Sequence, residues 1–289
     1  MKIAIVIDSA AGLSKEQVEK LGWYLLPLNI DIEGKNFIDG VEINSTNFFD
    51  YYKKESKAKT SAFHLGYAEE LFTKLSMEYD SIVVYPISKY LSSAYSMLQV
   101  IQSDFPKLKV IESIQVAQLM LFDLLYLENK NIQNEQDLDN VIKSIENGER
   151  KQSITLIPKY NDCLVKGGRL HPAAALIAKL LKIVPLIKFE NGQLLKESKG
   201  LVFAKSVKKM LESKLDFYNN LSDNRCVILL HSQPKELEEF VKYTKEIYHI
   251  EPFISYIPTV VSIHTGAEAF VCIVTELDPK IQEKIKTIF

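Results

Sequence analysis

The stretch Ser88-Lys89-Tyr90-Leu91-Ser92-Ser93-Ala94-Tyr95 follows directly on an apolar run, and so, far along the chain, does His264-Thr265-Gly266. Each places hydroxyls, backbone N–H groups or an imidazole at the end of an expected strand, where open α/β sheets hold their ligands. A helix opening at Ser92-Ser93 adds the partial positive charge of its N-terminus, which favours an anion. The chemistry on offer is capture of a small anion. The Ser92 hydroxyl and the Ser93 N–H would donate to a group such as a carboxylate, and His264 would donate from its imidazole, neutral or protonated. The local alternative for the serines is that a hydroxyl at a helix start caps its own backbone. His64, His171, His231 and His249 lack such a setting and read as structural.

Three further groups have residues fit for chemistry. Lys59-Thr60-Ser61 closes a polar segment ahead of a helix, where adjacent hydroxyls serve either as caps or as ligand contacts. Asp8 ends the first apolar run; an aspartate there caps a loop, acts as a base or ligates a metal. Gly167-Gly168-Arg169 displays a guanidinium on a turn, and Arg169 is one of only three arginines in a lysine-rich chain. Arginine suits bidentate contact with carboxylates. No H-E-x-x-H, no phosphate-binding G-x-x-x-x-G-K-[ST], no G-x-G-x-x-G after Ile7 and no G-x-S-x-G occurs. That counts against an enzyme with its own nucleotide cradle or nucleophile elbow, and no metal ligand set is expected.

The elements that must position these residues follow from pattern. Ile3 to Ile7 and Ser81 to Ile87 read as buried parallel strands. Ser14 and Gln17 form a capping box for a helix through Leu21. Trp23 to Ile32 is an extended run broken by Pro27, with turns at Glu33-Gly34 and Asp39-Gly40. Helices are expected from Ser45 or Thr46 to about Lys54, over Gly66 to Met77, over Leu91 to Ile101 and over 135 to 147, with a short strand at Lys109 to Ile111. Residues 114 to 128 form a helix apolar on nearly every face, hence buried, either as core or as a wall against an apolar ligand. Past Asn147-Gly148 come a strand at Ser153 to Ile157, two helices around Lys166 to Arg169, and a hairpin at Glu190-Asn191-Gly192. A helix, strand 226 to 231, a helix over 234 to 246 and extended runs at 251 to 256 and 269 to 275 close the chain. The reading is α/β in two domains. Residues 1–155 carry a mainly parallel sheet with flanking helices; residues 156–289 carry a mixed or antiparallel sheet, antiparallel pairing being expected only in this half.

Composition narrows the classes. The chain has 289 residues, 47% hydrophobic and 25% charged, ordinary globular values. Its three cysteines form no C-x-x-C pair, so neither a disulfide framework nor a zinc site is expected, and a reducing, cytoplasmic compartment fits. The N-terminus lacks a secretory pattern, and no apolar run has the length of a membrane span. The net charge of −2 hides an asymmetry. Residues 150 to 210 hold thirteen Lys/Arg against three Asp/Glu. Such a stretch is either a solvated lysine-rich surface or a docking face for an acidic partner. No aromatic interleaving or motif points to nucleic acid.

In order along the whole chain, the sequence resembles the DegV family, which includes the fatty-acid-binding subunits of bacterial fatty acid kinase. The resemblance is carried by Ile5-Val6-Ile7-Asp8-Ser9-Ala10-Ala11-Gly12-Leu13, Pro27-Leu28 and Gly34-Lys35-Asn36-Phe37-Ile38-Asp39-Gly40-Val41. It continues through Lys59-Thr60-Ser61, Ile87 to Tyr95, Lys166-Gly167-Gly168-Arg169-Leu170 and His264-Thr265-Gly266. It implies a two-domain DegV-like fold with a long-chain fatty acid in an apolar tunnel. The carboxylate would be held by Thr60 or Ser61, by Ser92 with the Ser93 N–H, and by His264. It further implies that this chain is not itself the enzyme. A separate kinase subunit, docking near Arg169, would supply ATP and magnesium and convert the bound acid to an acyl phosphate. Transient membrane contact fits such a role. The chain departs from the family pattern where Ala62-Phe63-His64 replaces Gln-Pro-Ser and Ala267-Glu268 replaces Pro-Gly. Gly200-Leu201-Val202-Phe203 also stands where the family has a basic run. The first two bear on the pocket mouth, the third on kinase docking. Two rivals stay open: a stand-alone hydrolase or transferase using Ser92, His264 and Asp8, and a lipid carrier or sensor without a kinase partner.

Overall fold

Ile3–Asp8 and Ser81–Tyr85 are apolar runs without polar alternation, the composition of strands covered on both faces. In the computed structural model, which describes residues 1–179 and 183–288, they lie side by side in parallel. The chain divides into two compact units, Met1–Glu149 with Pro258–Val260, and Arg150–Ile257 with Val261–Phe289.

The first unit runs β1 (Ile3–Asp8), α1 (Lys15–Lys20), β2 (Tyr24–Leu26), β3 (Asn29–Ile32), β4 (Lys35–Ile38), α2 (Phe48–Tyr51), β5 (Ala58–Ser61), α3 (Leu65–Glu78), β6 (Ser81–Tyr85), α4 (Ala94–Gln102), β7 (Leu108–Val110), α5 (Gln118–Glu128) and α6 (Glu135–Glu146). Its main sheet has the order β2-β1-β6-β7, all parallel, as the alternation of strands and helices predicts. Helix α1 opens on the expected capping box, with the Ser14 hydroxyl accepting from the Gln17 N–H and the Gln17 side chain accepting from the Ser14 N–H. Helix α5 is buried on almost every face and packs on β1 and α6, so its apolar composition is that of core. It starts at Gln118, four residues later than its apolar pattern suggests.

A second, three-stranded sheet, β4-β3-β5, is antiparallel. This corrects the expectation that antiparallel pairing is confined to the later half. Glu33 and Gly34 both have positive φ, +52° and +82°, the mirror-image turn whose twist suits a hairpin. β4 and β5 escape pattern reading because they are four residues long, partly exposed and punctuated by lysine. The helix expected from Ser45 or Thr46 shrinks to the single turn of α2, which starts after Asn47.

The second unit runs β8 (Gln152–Ile157), α7 (Asp162–Gly167), α8 (Pro172–Ala178), β9 (Val184–Glu190), β10 (Gln193–Gly200), α9 (Phe203–Ser213), α10 (Leu215–Asn219), β11 (Arg225–His231), α11 (Leu237–Tyr248), β12 (Phe253–Tyr256), α12 (Thr259–Thr265), β13 (Phe270–Glu276) and α13 (Pro279–Ile288). The first two residues of α12 belong with the first unit. Its six-stranded sheet, β10-β9-β8-β13-β11-β12, is antiparallel except for β11 with β12. The mixed sheet is as expected, and the Asn191-Gly192 hairpin again has both residues at positive φ. The core beneath it centres on Phe203, Phe240 and Phe270, whose rings meet edge-on at 5.8 and 5.1 Å.

The run Pro258–Ile263 is the main correction. It reads as a strand ending at His264, but Thr259–Thr265 is helical. Proline cannot continue a ladder, the Ser262 hydroxyl folds back on the Ile257 carbonyl at 3.1 Å, and burial overrides the β-branched preference of Val260, Val261 and Ile263. Among the described residues no helix is long and apolar enough to cross a membrane.

Leu124 is fully buried in α5. Leu124→Ala should cost about 2–5 kcal/mol in urea denaturation; a loss below about 1 kcal/mol would contradict its place in a close-packed core.

Candidate functional site

Parallel pairing brings the carboxyl ends of β1 and β6 to one edge, with Ile7 opposite Tyr85. Asp8, the last residue of β1, is wholly buried there. Its Oδ1 accepts from the Ala10 N–H at 3.0 Å, the loop cap expected for it. Its Oδ2 accepts from the Ile87 N–H at 2.7 Å, which ties the loop after β1 to the loop after β6. Both oxygens accept from backbone donors, and Asp8 anchors the two loops. Among the described residues no cluster of His, Cys, Asp or Glu could hold a metal.

A second buried carboxylate, Asp39, extends the anchor. It accepts from the Ser9 and Thr259 hydroxyls and the Gly40 N–H. The Ser9 hydroxyl oxygen in turn accepts from the Leu28 N–H at 3.0 Å, and the Asp39 N–H donates to the Leu28 carbonyl at 2.9 Å. These bonds hang the small antiparallel sheet, which starts at Asn29, on the end of β1. Burial pushes both Asp8 and Asp39 up to about 7, against backbone or hydroxyl donors that pull them down.

From the Ile87 anchor the loop after β6 is zipped to a neighbouring segment, the Ser88 and Lys89 N–H groups donating to the Gln115 and Ser113 carbonyls. It delivers Ser92 and Ser93 to the start of α4. The half-buried Ser92 hydroxyl accepts from the Ala94 N–H at 3.1 Å, so its capping role is realised, while its proton is still available to donate elsewhere. Ser93 is exposed, at the N-cap position itself. Thr60 and Ser61 lie on β5, opposite Ile30 and Asn29 of β3. Adjacent strand residues face opposite ways, so one carboxylate can meet only one of these two side chains. Thr60 is half-buried and Ser61 exposed. Their place on a strand replaces the expected helix cap.

In the second unit the structure brings together two motifs that lie about a hundred residues apart in sequence. His264 sits in the last turn of α12. A Cβ on Gly167 would lie 2.9 Å from its Nδ1, so only glycine lets the end of α7 pack against the imidazole. Gly168 follows in the left-handed conformation (φ +68°), and the Arg169 Nη1 donates to the Gly167 carbonyl at 2.5 Å. Burial, and secondarily the Arg169 charge, bring His264 down to about 4, so the imidazole is neutral at physiological pH and offers one N–H donor. Thr265 is buried, and among the described residues its hydroxyl has no hydrogen-bond partner.

Ser232 shapes this loop and was not singled out in sequence. Its hydroxyl donates to the Gly266 carbonyl and accepts from the Ala269 N–H, both at 2.8 Å. A serine at a strand end carries no motif that announces such a role. Asp39 was legible only as a turn residue. His231, read as structural, is buried, accepts from the Gln233 N–H and packs against Tyr256.

Residues 2–276 match the DegV family, whose description is that of an uncharacterised protein family. A DegV domain-containing protein of Mycoplasmopsis pulmonis is 41% identical over 285 residues, covering 99% of each chain. Among solved structures, one reporting fatty acid binding by a DegV family protein of Thermus thermophilus aligns with a TM-score of 0.79 at 18% identity, covering 96% of this chain and 100% of that one. A stearic-acid-binding protein of Eubacterium ventriosum aligns at 0.78 and 22% identity, over 97% and 99%. At those identities the likeness to the solved structures is one of fold.

The buried carboxylates and the buried imidazole predict opposite pH trends. Raised folded-state values mean that Asp8 and Asp39 stabilise fully below the ordinary carboxylate range and lose that contribution as pH rises through about 7. His264 contributes above about 6.5 and loses its contribution as pH falls toward 4. Between about pH 6.5 and 8 the carboxylates dominate, and urea midpoints should fall with rising pH. Asp39→Asn should flatten that fall; a slope equal to the wild type's would contradict the burial of a titrating carboxylate there.

Proposed function

This chain belongs to the DegV family, and from that premise we propose that it binds a long-chain fatty acid and presents the carboxylate to a separate kinase subunit for phosphorylation. The observation that carries the reading is the set of donors at the strand-end loop. The Ser92 hydroxyl and the start of α4 are fixed by the Asp8 anchor at the carboxyl edge of a parallel sheet, where such folds hold ligands. The carboxylate donors in this reading are Thr60 or Ser61, Ser92 with the Ser93 N–H, and His264. The neutral state of His264 supports it, because an N–H donor that carries no charge can face a carboxylate without the cost of a buried ion pair.

Magnitudes assign the roles of head and tail. Burying an acyl chain of about sixteen carbons at ~0.8 kcal/mol per CH₂ gives on the order of 10 kcal/mol before ordering costs. Each head-group hydrogen bond to a charged acid adds about 1.5–3 kcal/mol. The tail sets affinity, and the head group sets which atom faces the partner. In this reading the chain supplies no catalytic residue, ATP and magnesium belong to the kinase, Arg169 is the docking contact and the cytoplasm is the site of action. A carrier without a kinase partner is the second reading, favoured by one feature. Leu201 and Val202 are exposed after β10 where the family has a basic run.

Protein purified from a bacterial host should show one fatty acid per chain by native mass spectrometry. Ser92→Ala combined with His264→Ala should be folded and empty. Wild-type protein that is empty and takes up neither oleate nor palmitate would overturn the reading. A folded double variant that retains lipid would overturn the site.

A further inference from the structure

Glu268 stands in the left-handed backbone region, at φ +58°, two residues after Gly266 at φ +84°. That region suits glycine, and a glutamate there carries strain. The family pattern has glycine at this position, so this chain replaces a residue that fits the backbone by one that does not. The glutamate gains partners in exchange. One carboxylate oxygen meets the Lys159 ammonium at 2.6 Å, the other accepts from the Tyr160 hydroxyl at 3.1 Å, and the side chain is only 17% exposed. Lys159 also donates to both carboxylate oxygens of Glu236 at 3.0 Å and lies over the Phe203 ring. One ammonium thus meets three carboxylate oxygens in a partly buried network, a setting in which ion pairs hold geometry better than isolated surface pairs do.

The network ties the loop that follows His264 to α7. Lys159 and Tyr160 come just before that helix, which starts at Asp162. The helix itself lies on the same loop. Cys163 Sγ is 3.4 Å from where a Cβ on Gly266 would stand, and Gly167 admits the His264 ring. Three contacts therefore run in series, Glu268 with 159 and 160, Gly266 with 163, and His264 with 167. Ser232 holds the loop from β11. Its carbonyl accepts from the Glu268 N–H at 2.7 Å, and its hydroxyl bridges Gly266 and Ala269. Those bonds reach backbone groups alone. In Gly266-Ala267-Glu268-Ala269 only Glu268 has a polar side chain, and it is spent on the segment that leads into α7.

We propose that Glu268 is a positioning residue, a strap whose carboxylate, held by Lys159 and Tyr160, clamps the 264–268 loop onto α7 and so fixes the His264 imidazole. The inference rests on the reading of His264 as a head-group donor and adds the residue that keeps the ring in place. Backbone strain and ion pair oppose each other. While the pair is closed, the left-handed turn is held and the loop stays on α7. When the pair opens, strain favours relaxation of the loop, the ring loses its support, and a bound acid loses a donor. A glycine at 268 would follow the same backbone path with neither strain nor strap.

The test joins amide hydrogen exchange on lipid-stripped protein to oleate release, read as transfer to albumin. The Gly266 and Val165 amides, which donate to the Ser262 and Asn161 carbonyls, report on the loop and on α7. Glu268→Ala and Lys159→Met should each speed their exchange about threefold or more, the size expected of coupled neighbours, and Lys159→Arg should restore it. Glu268→Gly, which removes the strain with the carboxylate, should exchange as fast while being at least as thermostable as Glu268→Ala. Lys208→Gln, which breaks a surface pair with Glu239 in the same unit, should change nothing. Oleate release should quicken in the same variants. Unchanged exchange at Gly266 and Val165, or a rise shared by the amides in the middle of β13, would overturn the strap. Faster exchange without faster release, where His264→Gln does quicken release, would overturn its link to the imidazole. Wild-type protein that takes up no oleate counts against the fatty-acid reading instead, and the exchange measurement, made without lipid, still decides the strap.

Discussion

Asp8 is wholly buried at the end of a central strand, and its two oxygens are divided between two loops. One holds the turn that begins at Ser9; the other holds the Ile87 N–H and with it the descent toward Ser88 and Ser92. A buried carboxylate costs several kcal/mol of lost solvation unless it is answered by donors. The loops are therefore held in the conformation that answers it. Asp39 repeats the device one layer out, collecting the Ser9 and Thr259 hydroxyls and the Gly40 N–H. Remove Asp8 and the Ala10 and Ile87 N–H groups lose their acceptor. Asp8 and Asp39 together tie the strand-end loops of the first unit to one another.

The second unit reaches a comparable result with backbone. His264 is fixed by its position at the end of α12, by the Ser232 hydroxyl that bridges Gly266 and Ala269, and by a glycine at 167 that admits the ring. Gly266 has φ +84° and a close neighbour in Cys163, so a side chain there would meet both conformational strain and a crowded space. Two glycines, one serine and a helix end thus place an imidazole that burial keeps neutral.

The basic stretch from 150 to 210 is explained in part by structure. Lys159 sits between Glu236 and Glu268, Lys151 pairs with Glu276, and Lys188 and Lys208 pair with Glu190 and Glu239. Lys196 and Lys199 lie on β10, an edge strand, where lysine discourages pairing with another sheet. Local charge excess therefore overstates the surface left for a partner, and Arg169, exposed on a turn, is a more specific feature than the sum of the lysines.

The amino-acid sequence by itself determined the α/β class, the parallel first sheet, the capping box at Ser14, the Asn191-Gly192 hairpin and the polar loop ahead of α4. All of these rest on local rules: the burial period of a strand, reciprocal hydrogen bonds across three residues, the positive φ of a mirror-image turn. What local rules do not carry, the tertiary structure decided. Pro258–Ile263 is β-branched and apolar, yet it is helical because it is buried beside a proline and a serine that bonds backward. Thr60 and Ser61 became strand residues because β3 offered them an edge. The link between Gly167 and His264, and that between Asp39 and Thr259, join positions about a hundred or more residues apart. Pattern within a short window contains no term for such contacts; they exist only once the folded chain has brought the partners within hydrogen-bonding distance.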